Sequence, residues 1–307
     1  MATDRGASRT PTSTVWMPAL ALIFNAFTWG VSWWPFRQLA ALGLHPLWAT
    51  AIIYLLAVAA ITLWRPRAWV ELARTRTLWL LVLAAGTTNA SFNWAVTIGD
   101  VVRVVLLFYL MPLWAVLLAR WLLHEAFSRA AWLRVVLALL GAAIVLWPQA
   151  GGPQVGWPVP RSLPEWLGVL GGFSFALNNV LLRREAHQPE AARALAMFLG
   201  GAAVAALLAA ALSAQGRVPL PPALAPAWVA GAVAMGVAFL AGNLALQYGA
   251  ARLPANVTAV VMITEVLFAS VSAVLLGAGS LSWPLALGGG LIVGATLLSA
   301  RTRALAA

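Results

Sequence analysis

The chain has 307 residues, of which 63% are hydrophobic and only 9% are charged. This number of charged residues is too small to cover the surface of a soluble domain of this length. The composition therefore predicts a membrane protein. We assign the net charge of +11 to loops beside anionic lipid headgroups rather than to a nucleic-acid partner, and the absence of cysteine excludes disulfides and thiolate metal sites.

Ten apolar segments follow one another along the chain, each close to the roughly 20 residues that a helix needs to cross a bilayer. Backbone groups in lipid must be satisfied within the segment, so we predict an all-α membrane protein with ten transmembrane helices. The predicted spans are 16–36, 46–64, 77–98, 102–122, 130–148, 164–182, 193–212, 227–249, 254–276 and 283–300. The first span is too long for the core of a signal peptide, so we expect it to be retained.

The arginines fix the predicted orientation, because cytoplasmic loops of membrane proteins carry the excess of positive charge. All 19 basic residues are arginine. With the N terminus inside, 15 of them lie in inner segments and only four, Arg37, Arg103, Arg161 and Arg217, lie in outer ones. We therefore predict a multi-pass protein of the cell inner membrane with both termini in the cytoplasm.

A stretch of the first predicted span recurs in the sixth. Residues 26–37, AFTWGVSWWPFR, align without gaps with residues 172–183, GFSFALNNVLLR. Each copy begins a set of five spans, and an odd number of spans places the halves in opposite orientations, as in inverted-repeat transporters with a central cavity. The predicted divisions are a cytoplasmic tail at 1–15, a first five-helix repeat at 16–148, an extracytoplasmic loop at 149–163, a second five-helix repeat at 164–300 and a cytoplasmic tail at 301–307.

Polar side chains form stripes on the predicted spans, and polar groups within a membrane usually face the bundle interior or water. The polar residues that we predict to line a central cavity are Asn25, Asn89, Asn93, Asn178, Asn243, Gln247 and Glu265. Carboxamides suit a zwitterionic substrate because one side chain can both donate and accept hydrogen bonds. The alternative is that they hold helices together by hydrogen bonds worth about 0.6–2 kcal/mol.

Glu265 is the only acidic residue near the middle of a predicted span. A carboxyl group there is ionised only if it is paired or hydrated. It either carries a proton against substrate movement, binds a substrate ammonium, or serves as a structural group hydrogen-bonded to neighbouring helices.

Asp100 and Arg103 lie three residues apart at the outer start of span four, a spacing that can place both on one helical face. They form an extracellular gate, a contact with the substrate carboxylate, or a partly hydrated ion pair worth about 0–1 kcal/mol. Farther along the same span, Pro112 removes a helical hydrogen bond and predicts a kink, which acts as a hinge or only sets the shape.

Three aromatic residues, Trp29, Trp94 and Tyr109, lie within the same stretches and are predicted to line the cavity. Aromatic rings can stack on apolar groups or accept a cation at about 0.5–2 kcal/mol. Packing and anchoring at the membrane interface are the alternative roles, since 17 tryptophans are spread along the chain.

Several of these residues together resemble the drug/metabolite transporter superfamily in its two-repeat, EamA-type form. The resemblance rests on the aromatic-Trp-Gly-x-Ser stretch at 27–32 ending at Arg37, the Leu-x-Pro stretch at 110–112, Glu125, and Glu265 at the Glu position of the family's Glu-Pro pair. Val266 replaces the proline of that pair, Gly279 replaces the acidic residue that would mirror Glu125, and Met111 stands where the first half could carry the Glu.

The resemblance implies a secondary transporter that exports small metabolites by alternating access, and the tryptophan content resembles the branch for aromatic and other neutral amino acids. An exporter of drugs or organic cations is the alternative within the fold, and an enzyme or a channel is a remoter one. No catalytic or nucleotide-binding motif is found in the sequence, so we expect neither catalysis nor a cofactor or metal. The expected partners are a small-molecule substrate and lipid. Small residues such as Gly141, Gly290 and Gly294 serve either packing within one chain or the contact between two copies in a homodimer.

Overall fold

Helices make up all the regular secondary structure in the described part of the chain. The computed structural model describes residues 13–122, 129–145, 147, 159–250, 252, 261–262 and 264–304. The helices are α1 (Ser13–Val31), α2 (Trp33–Ala41), α3 (Pro46–Trp64), α4 (Arg67–Arg74), α5 (Arg76–Ile98), α6 (Val101–Phe108), α7 (Met111–Leu122), α8 (Arg129–Val145), α9 (Leu163–Arg184), α10 (Glu190–Ala214), α11 (Pro226–Ala250), α12 (Thr264–Leu275) and α13 (Trp283–Ala304). The all-α class is confirmed.

Some predictions fall outside the described residues. These are most of the tail at 1–15, residues 149–158 of the loop at 149–163, the beginning of span nine, and Glu125. Within the described part, four segments are long and apolar enough to cross a membrane: Pro46–Trp64, Val101–Leu122, Glu190–Ala214 and Pro226–Leu246. The count of ten transmembrane helices remains a prediction.

Span four is interrupted where the sequence predicts a kink. Helix α6 ends at Phe108, whose carbonyl would accept the helical hydrogen bond that Pro112 cannot donate. The two residues between α6 and α7 turn more tightly, with a 3.2 Å bond from the Leu110 amide to the Leu107 carbonyl. Gly172 of α9 packs on the freed Phe108 carbonyl so closely that a Cβ there would collide with the oxygen. The predicted kink is confirmed, and a neighbouring helix covers it.

A short helix between spans two and three was not predicted. Helix α4 buries Ala68 and Leu72 against the protein and leaves Arg67 and Arg74 exposed. Its eight residues are too few for the hydropathy pattern of a span, and its charges resemble those of a loop. It places a charged face at the predicted cytoplasmic end of the bundle.

The most extensive helix contacts join the two halves of the chain. Helix α5 packs on α9 and α10, α1 packs on α11 and α12, α3 packs on α10, and α8 packs on α13. In the predicted repeat, α5 of the first half corresponds to α11 of the second half, and α1 corresponds to α9. The contact between α5 and α9 is therefore equivalent to the contact between α11 and α1. This equivalence supports the predicted duplication, which remains a prediction.

Glycines allow the closest of these contacts. A Cβ on Gly86 of α5 would collide with the carbonyl of Gly200 on α10, and a Cβ on Gly200 would collide with the carbonyl of Val82. Gly141 of α8 packs on Gly288 of α13 in the same way, since a Cβ added to Gly141 would lie 2.6 Å from the carbonyl oxygen of Gly288. Such contacts let backbones approach closely where lipid provides no hydrophobic force between helices.

Gly290 and Gly294, which the sequence pattern grouped with Gly141, have a different environment. A Cβ on either residue would meet no atom within 4 Å, so neither supports a helix contact within the described part of the chain. They serve as matched controls for the close glycines.

We predict that Gly200→Ala lowers the free energy of unfolding by about 1–3 kcal/mol, because α5 and α10 must separate to admit the methyl group. Gly290→Ala should not destabilise the protein, since its methyl group enters open space. Thermal unfolding of both variants in one detergent tests this. A Gly200→Ala protein at least as stable as Gly290→Ala would contradict the predicted clash.

Candidate functional site

Glu265 contacts the first half of the chain at the interruption of span four. The Tyr109 hydroxyl donates to Glu265 Oε2 at 3.4 Å. Tyr109 lies between α6 and α7 and is buried, whereas Glu265 is the second residue of α12 and is half-buried. A bond of this length is weak, so the described residues satisfy the carboxylate incompletely. Within the described residues, Tyr109 is the hydrogen-bond partner of the Glu265 carboxylate.

Asn25 lies next to this contact, where α1, α11 and α12 meet. Its side-chain amide donates to the Met262 sulfur at 3.6 Å, and Met262 precedes Glu265 by three residues. Gly242 of α11 packs on the side-chain carbonyl oxygen of Asn25, Oδ1, which would lie 3.4 Å from a Cβ added to Gly242. That oxygen is buried and has no hydrogen-bond partner among the described residues. We refer to Asn25, Tyr109, Met262 and Glu265 as the Glu265 cluster.

Asn89 and Asn93 face α3, within the first half. The Tyr54 hydroxyl donates to the Asn89 carbonyl oxygen, and the Asn93 amide donates to the Thr50 hydroxyl at 3.1 Å. Asn93 is 0% exposed. Both contacts correspond to the alternative role of these residues, that of joining helices. The Asn93 carbonyl oxygen still has no partner in the described structure.

Trp29 belongs to an aromatic group between the halves. Its ring stacks on Phe239 of α11 with centroids 4.5 Å apart, and Phe239 lies 5.8 Å from the Tyr54 ring. Tyr54 in turn lies 5.6 Å from Phe198 of α10. These four rings form an apolar wall between first-half and second-half helices. We refer to Trp29, Tyr54, Phe198 and Phe239 as the Trp29 group.

The other predicted aromatic residue, Trp94, lies elsewhere. Its ring meets His45 edge to face at 5.4 Å, near the N terminus of α3 and the C terminus of α5. Both helix ends lie on the predicted outer side. The structure therefore does not bring Trp94 together with the Trp29 group.

A cavity of about 1060 Å³ opens beside the Trp29 group, between α3 and α4 of the first half and α10 and α11 of the second. Its lining includes Ile61, Phe198, Leu240 and Asn243. It also includes the ends of α3 and α4 and the start of α10, which are predicted to be cytoplasmic. The cavity therefore lies at the predicted inner end of the bundle.

Asn243 is the predicted site residue that lines this cavity. Gln247 lies one helical turn farther along α11, and its side chain is outside the described structure. Asn178 is buried on α9, and its carbonyl oxygen has no partner among the described residues. Among the predicted polar residues, Asn25 and Glu265 belong to the Glu265 cluster, Asn89 and Asn93 to the α3–α5 contact and Asn243 to the inner cavity, whereas Asn178 on α9 belongs to none of these groups.

The predicted outer ends of the halves are tied together. Arg103 Nε lies 2.7 Å from Glu165 Oε1, and Asp100 Oδ2 accepts from the Ser280 amide at 3.1 Å. The Val101 amide donates to the Ala278 carbonyl at 3.3 Å. We call these three contacts the outer latch, since each joins the first half to the second.

The latch corrects the expected pairing of Asp100 with Arg103. Asp100 caps α6, its Oδ1 accepting from the backbone amide of Arg103 at 2.9 Å. This geometry turns the carboxylate toward the helix N terminus, while the guanidinium extends to Glu165. The two residues are joined through the backbone and have different side-chain partners.

Glu165 was missed as a site residue, although the sequence carried a signal for its placement. Ser162 and Glu165 have the spacing of a capping box, and Glu165 Oε2 accepts from the backbone amide of Ser162 at 3.3 Å. That bond, with a second from the Arg161 amide at 2.7 Å, fixes the carboxylate at the start of α9. Its arginine partner, 62 positions earlier, could not be inferred from local spacing.

The comparisons with known proteins agree with this architecture. The model of the EamA-like transporter family matches residues 16–147. No curated protein matches the chain significantly. One solved crystal structure, described only as that of a protein, is similar over 92% of this chain and 96% of its own, with a TM-score of 0.57 and 19% identity. At that identity the similarity shows a shared fold alone.

The match includes residues 26–37, which are the first copy of the repeated stretch. It also includes the interrupted span four with its Leu-x-Pro stretch at 110–112. Over residues 16–147 the chain is similar to the EamA-like transporter family of the drug/metabolite transporter superfamily, and this similarity indicates a multi-pass membrane transporter of small metabolites.

Proposed function

We propose that the protein is a secondary transporter that exports amino acids, chiefly aromatic and other neutral ones, across the inner membrane by alternating access. The observation that carries this proposal is the asymmetry between the two ends of the bundle. The outer latch joins the halves at one end, and a cavity of about 1060 Å³ lies between helices of the two halves at the other. This arrangement is expected of a carrier that is ready to receive substrate from the cytoplasm.

The polar groups between these ends support a zwitterionic substrate. Glu265 has one long hydrogen bond from the described residues, and the buried carbonyl oxygens of Asn25 and Asn178 have no partner there. Acceptors of this kind are costly to bury unless a ligand or water satisfies them. A substrate ammonium supplies the missing donors. The Trp29 group supplies an apolar surface for a large side chain.

The alternative substrate class is an organic cation or drug. The incompletely satisfied carboxylate of Glu265 is the observation that favours it, because a lipophilic cation requires a buried anion. A counterflow screen of the purified protein in liposomes separates the two classes. Saturable exchange of neutral amino acids without exchange of organic cations supports our proposal, and the reverse result supports the alternative.

Our proposal includes two inverted five-helix repeats at 16–148 and 164–300, joined by an extracytoplasmic loop at 149–163, with cytoplasmic tails. The chain contains no cysteine, so a single introduced cysteine reports the side of the membrane without background. Ala73 and Gln215 are both exposed and lie on opposite predicted sides.

We predict that a membrane-impermeant maleimide added to intact cells labels Gln215→Cys but not Ala73→Cys. Both variants should be labelled after the membrane is permeabilised. Labelling of Ala73→Cys in intact cells would contradict the proposed orientation.

We predict that Glu265→Gln lowers amino-acid counterflow about tenfold or more, because it removes the charge that pairs with the substrate ammonium. If Glu265 also carries the coupled proton, the variant loses the response to a pH gradient. Tyr109→Phe, which removes the hydroxyl donor to Glu265, should change the rate less.

Tyr248→Phe is the matched control, since Tyr248 is exposed and lies beside Arg252 instead of Glu265. Initial rates in proteoliposomes, with and without a pH gradient, provide the measurement. A Glu265→Gln protein with normal rates and a normal pH response would rule out both roles of the carboxylate.

We predict that Glu165→Gln favours opening of the outer end, because the neutral amide binds the Arg103 guanidinium less strongly than the carboxylate does. A single cysteine at Thr97, a half-buried position near the outer end of α5, reports the change. Its labelling from outside should increase about two- to fivefold, as expected for a partly exposed ion pair.

Arg217→Gln, in an outer loop away from the latch, is the control for loss of a charge. An equal labelling rate in Glu165→Gln and Arg217→Gln would show that the ion pair does not hold the outer end closed.

A further inference from the structure

Four charged residues surround the mouth of the inner cavity. Arg65 and Arg67 lie where α3 leads into α4, Glu71 lies on α4, and Glu190 is the first residue of α10. Glu71 is half-buried and the other three are exposed. Within the described residues, none of the four forms an ion pair with another charged side chain, although all of them line one cavity.

The fold fixes both signs of charge at this mouth. Burial of Ala68 and Leu72 holds α4 against the bundle, and this places Arg67 and Glu71, one turn apart, along the cavity. Glu190 faces them from the second half of the chain, across the cavity. The first half therefore supplies both arginines and one carboxylate, and the second half supplies the other carboxylate.

The rest of the cavity lining is mostly apolar. Ile61 and Trp64 of α3, Phe198 of α10 and Leu240 and Leu244 of α11 line it, and Asn243 is the polar side chain among them. A ligand that fits this arrangement carries a positive and a negative group at one end and an apolar body at the other.

We infer that the mouth of the inner cavity is a binding site for the zwitterion of an amino acid with a large apolar side chain, occupied before the substrate enters the bundle. Arg65 and Arg67 bind the carboxylate, Glu71 and Glu190 bind the ammonium, and the side chain contacts the apolar wall. The inference rests on the proposed export function and adds a site on the cytoplasmic side of the Glu265 cluster.

The charges at the mouth also favour a zwitterion over other classes of ligand. An organic cation can pair only with the two carboxylates, and an anionic lipid headgroup can pair only with the two arginines, so each leaves two of the four charges without a partner from the ligand. A zwitterion satisfies both pairs, so it is the class that the four residues together favour.

The test measures equilibrium binding of radiolabelled L-phenylalanine to the purified protein in detergent, and counterflow of the same amino acid in liposomes. The variants are Arg65→Gln with Arg67→Gln, and Glu71→Gln with Glu190→Gln. Arg74→Gln is the matched control, because Arg74 is exposed on the same short helix but does not line the cavity.

We expect each double variant to raise the Kd for phenylalanine about fivefold and Arg74→Gln to leave it unchanged, as for partly hydrated charge pairs. Competitors give a second readout that a loss of folding would not produce. Phenylalanine amide lacks the carboxylate, so the arginine variant should bind it no worse than wild type. N-acetylphenylalanine lacks the ammonium, so the same should hold for the glutamate variant.

The two assays distinguish failure of the site from failure of the proposed function. Wild-type counterflow with equal Kd values in all variants would overturn the site and leave the exporter proposal standing. Charge-specific binding without counterflow would support the site and overturn the exporter proposal. Loss of the dependence of counterflow on anionic lipid in the arginine variant, without any change in phenylalanine binding, would identify a lipid site and overturn the inference.

Discussion

The structure depends on the requirement that backbone polar groups in a bilayer find partners within the protein. Where the sequence breaks a helix, another part of the chain covers the exposed groups. Gly172 packs on the Phe108 carbonyl freed by Pro112, and the Arg37 guanidinium donates to the Val96 and Gly99 carbonyls at the end of α5. Both interruptions are thereby stable features, and the one in span four places Tyr109 beside Glu265.

The same requirement gives meaning to the polar atoms that lack partners. Most polar side chains in the described helices bond to a neighbouring helix or to the preceding turn, as Thr50 does with the Pro46 carbonyl at 2.8 Å. Against that background the carbonyl oxygens of Asn25 and Asn178 and the long bond of Glu265 are exceptions. Under the proposed function, these atoms are the candidate contacts of the transported molecule.

The sequence predicted what depends on local pattern and missed what depends on distant contacts. Most described helix positions and the kink near Pro112 follow from hydropathy and proline chemistry, whereas the short helix α4 and the division of the first span between α1 and α2 do not. The ion pair of Arg103 does not follow from them, because capping directs Asp100 to the backbone and Glu165 comes from the other half. Spacing also could not decide between cavity lining and helix contact for Asn93, since its partner Thr50 lies 43 positions away.

The contact between Gly86 and Gly200 has a mechanical consequence. It lies near the middle of both α5 and α10, and it joins the halves backbone to backbone with no side chain between them. Helices so close cannot approach further, and Gly141 and Gly288 make a second contact of this kind between α8 and α13. In the alternating-access cycle that we propose, the halves turn about these two contacts. Parting of the halves at the outer latch then brings the walls of the inner cavity together.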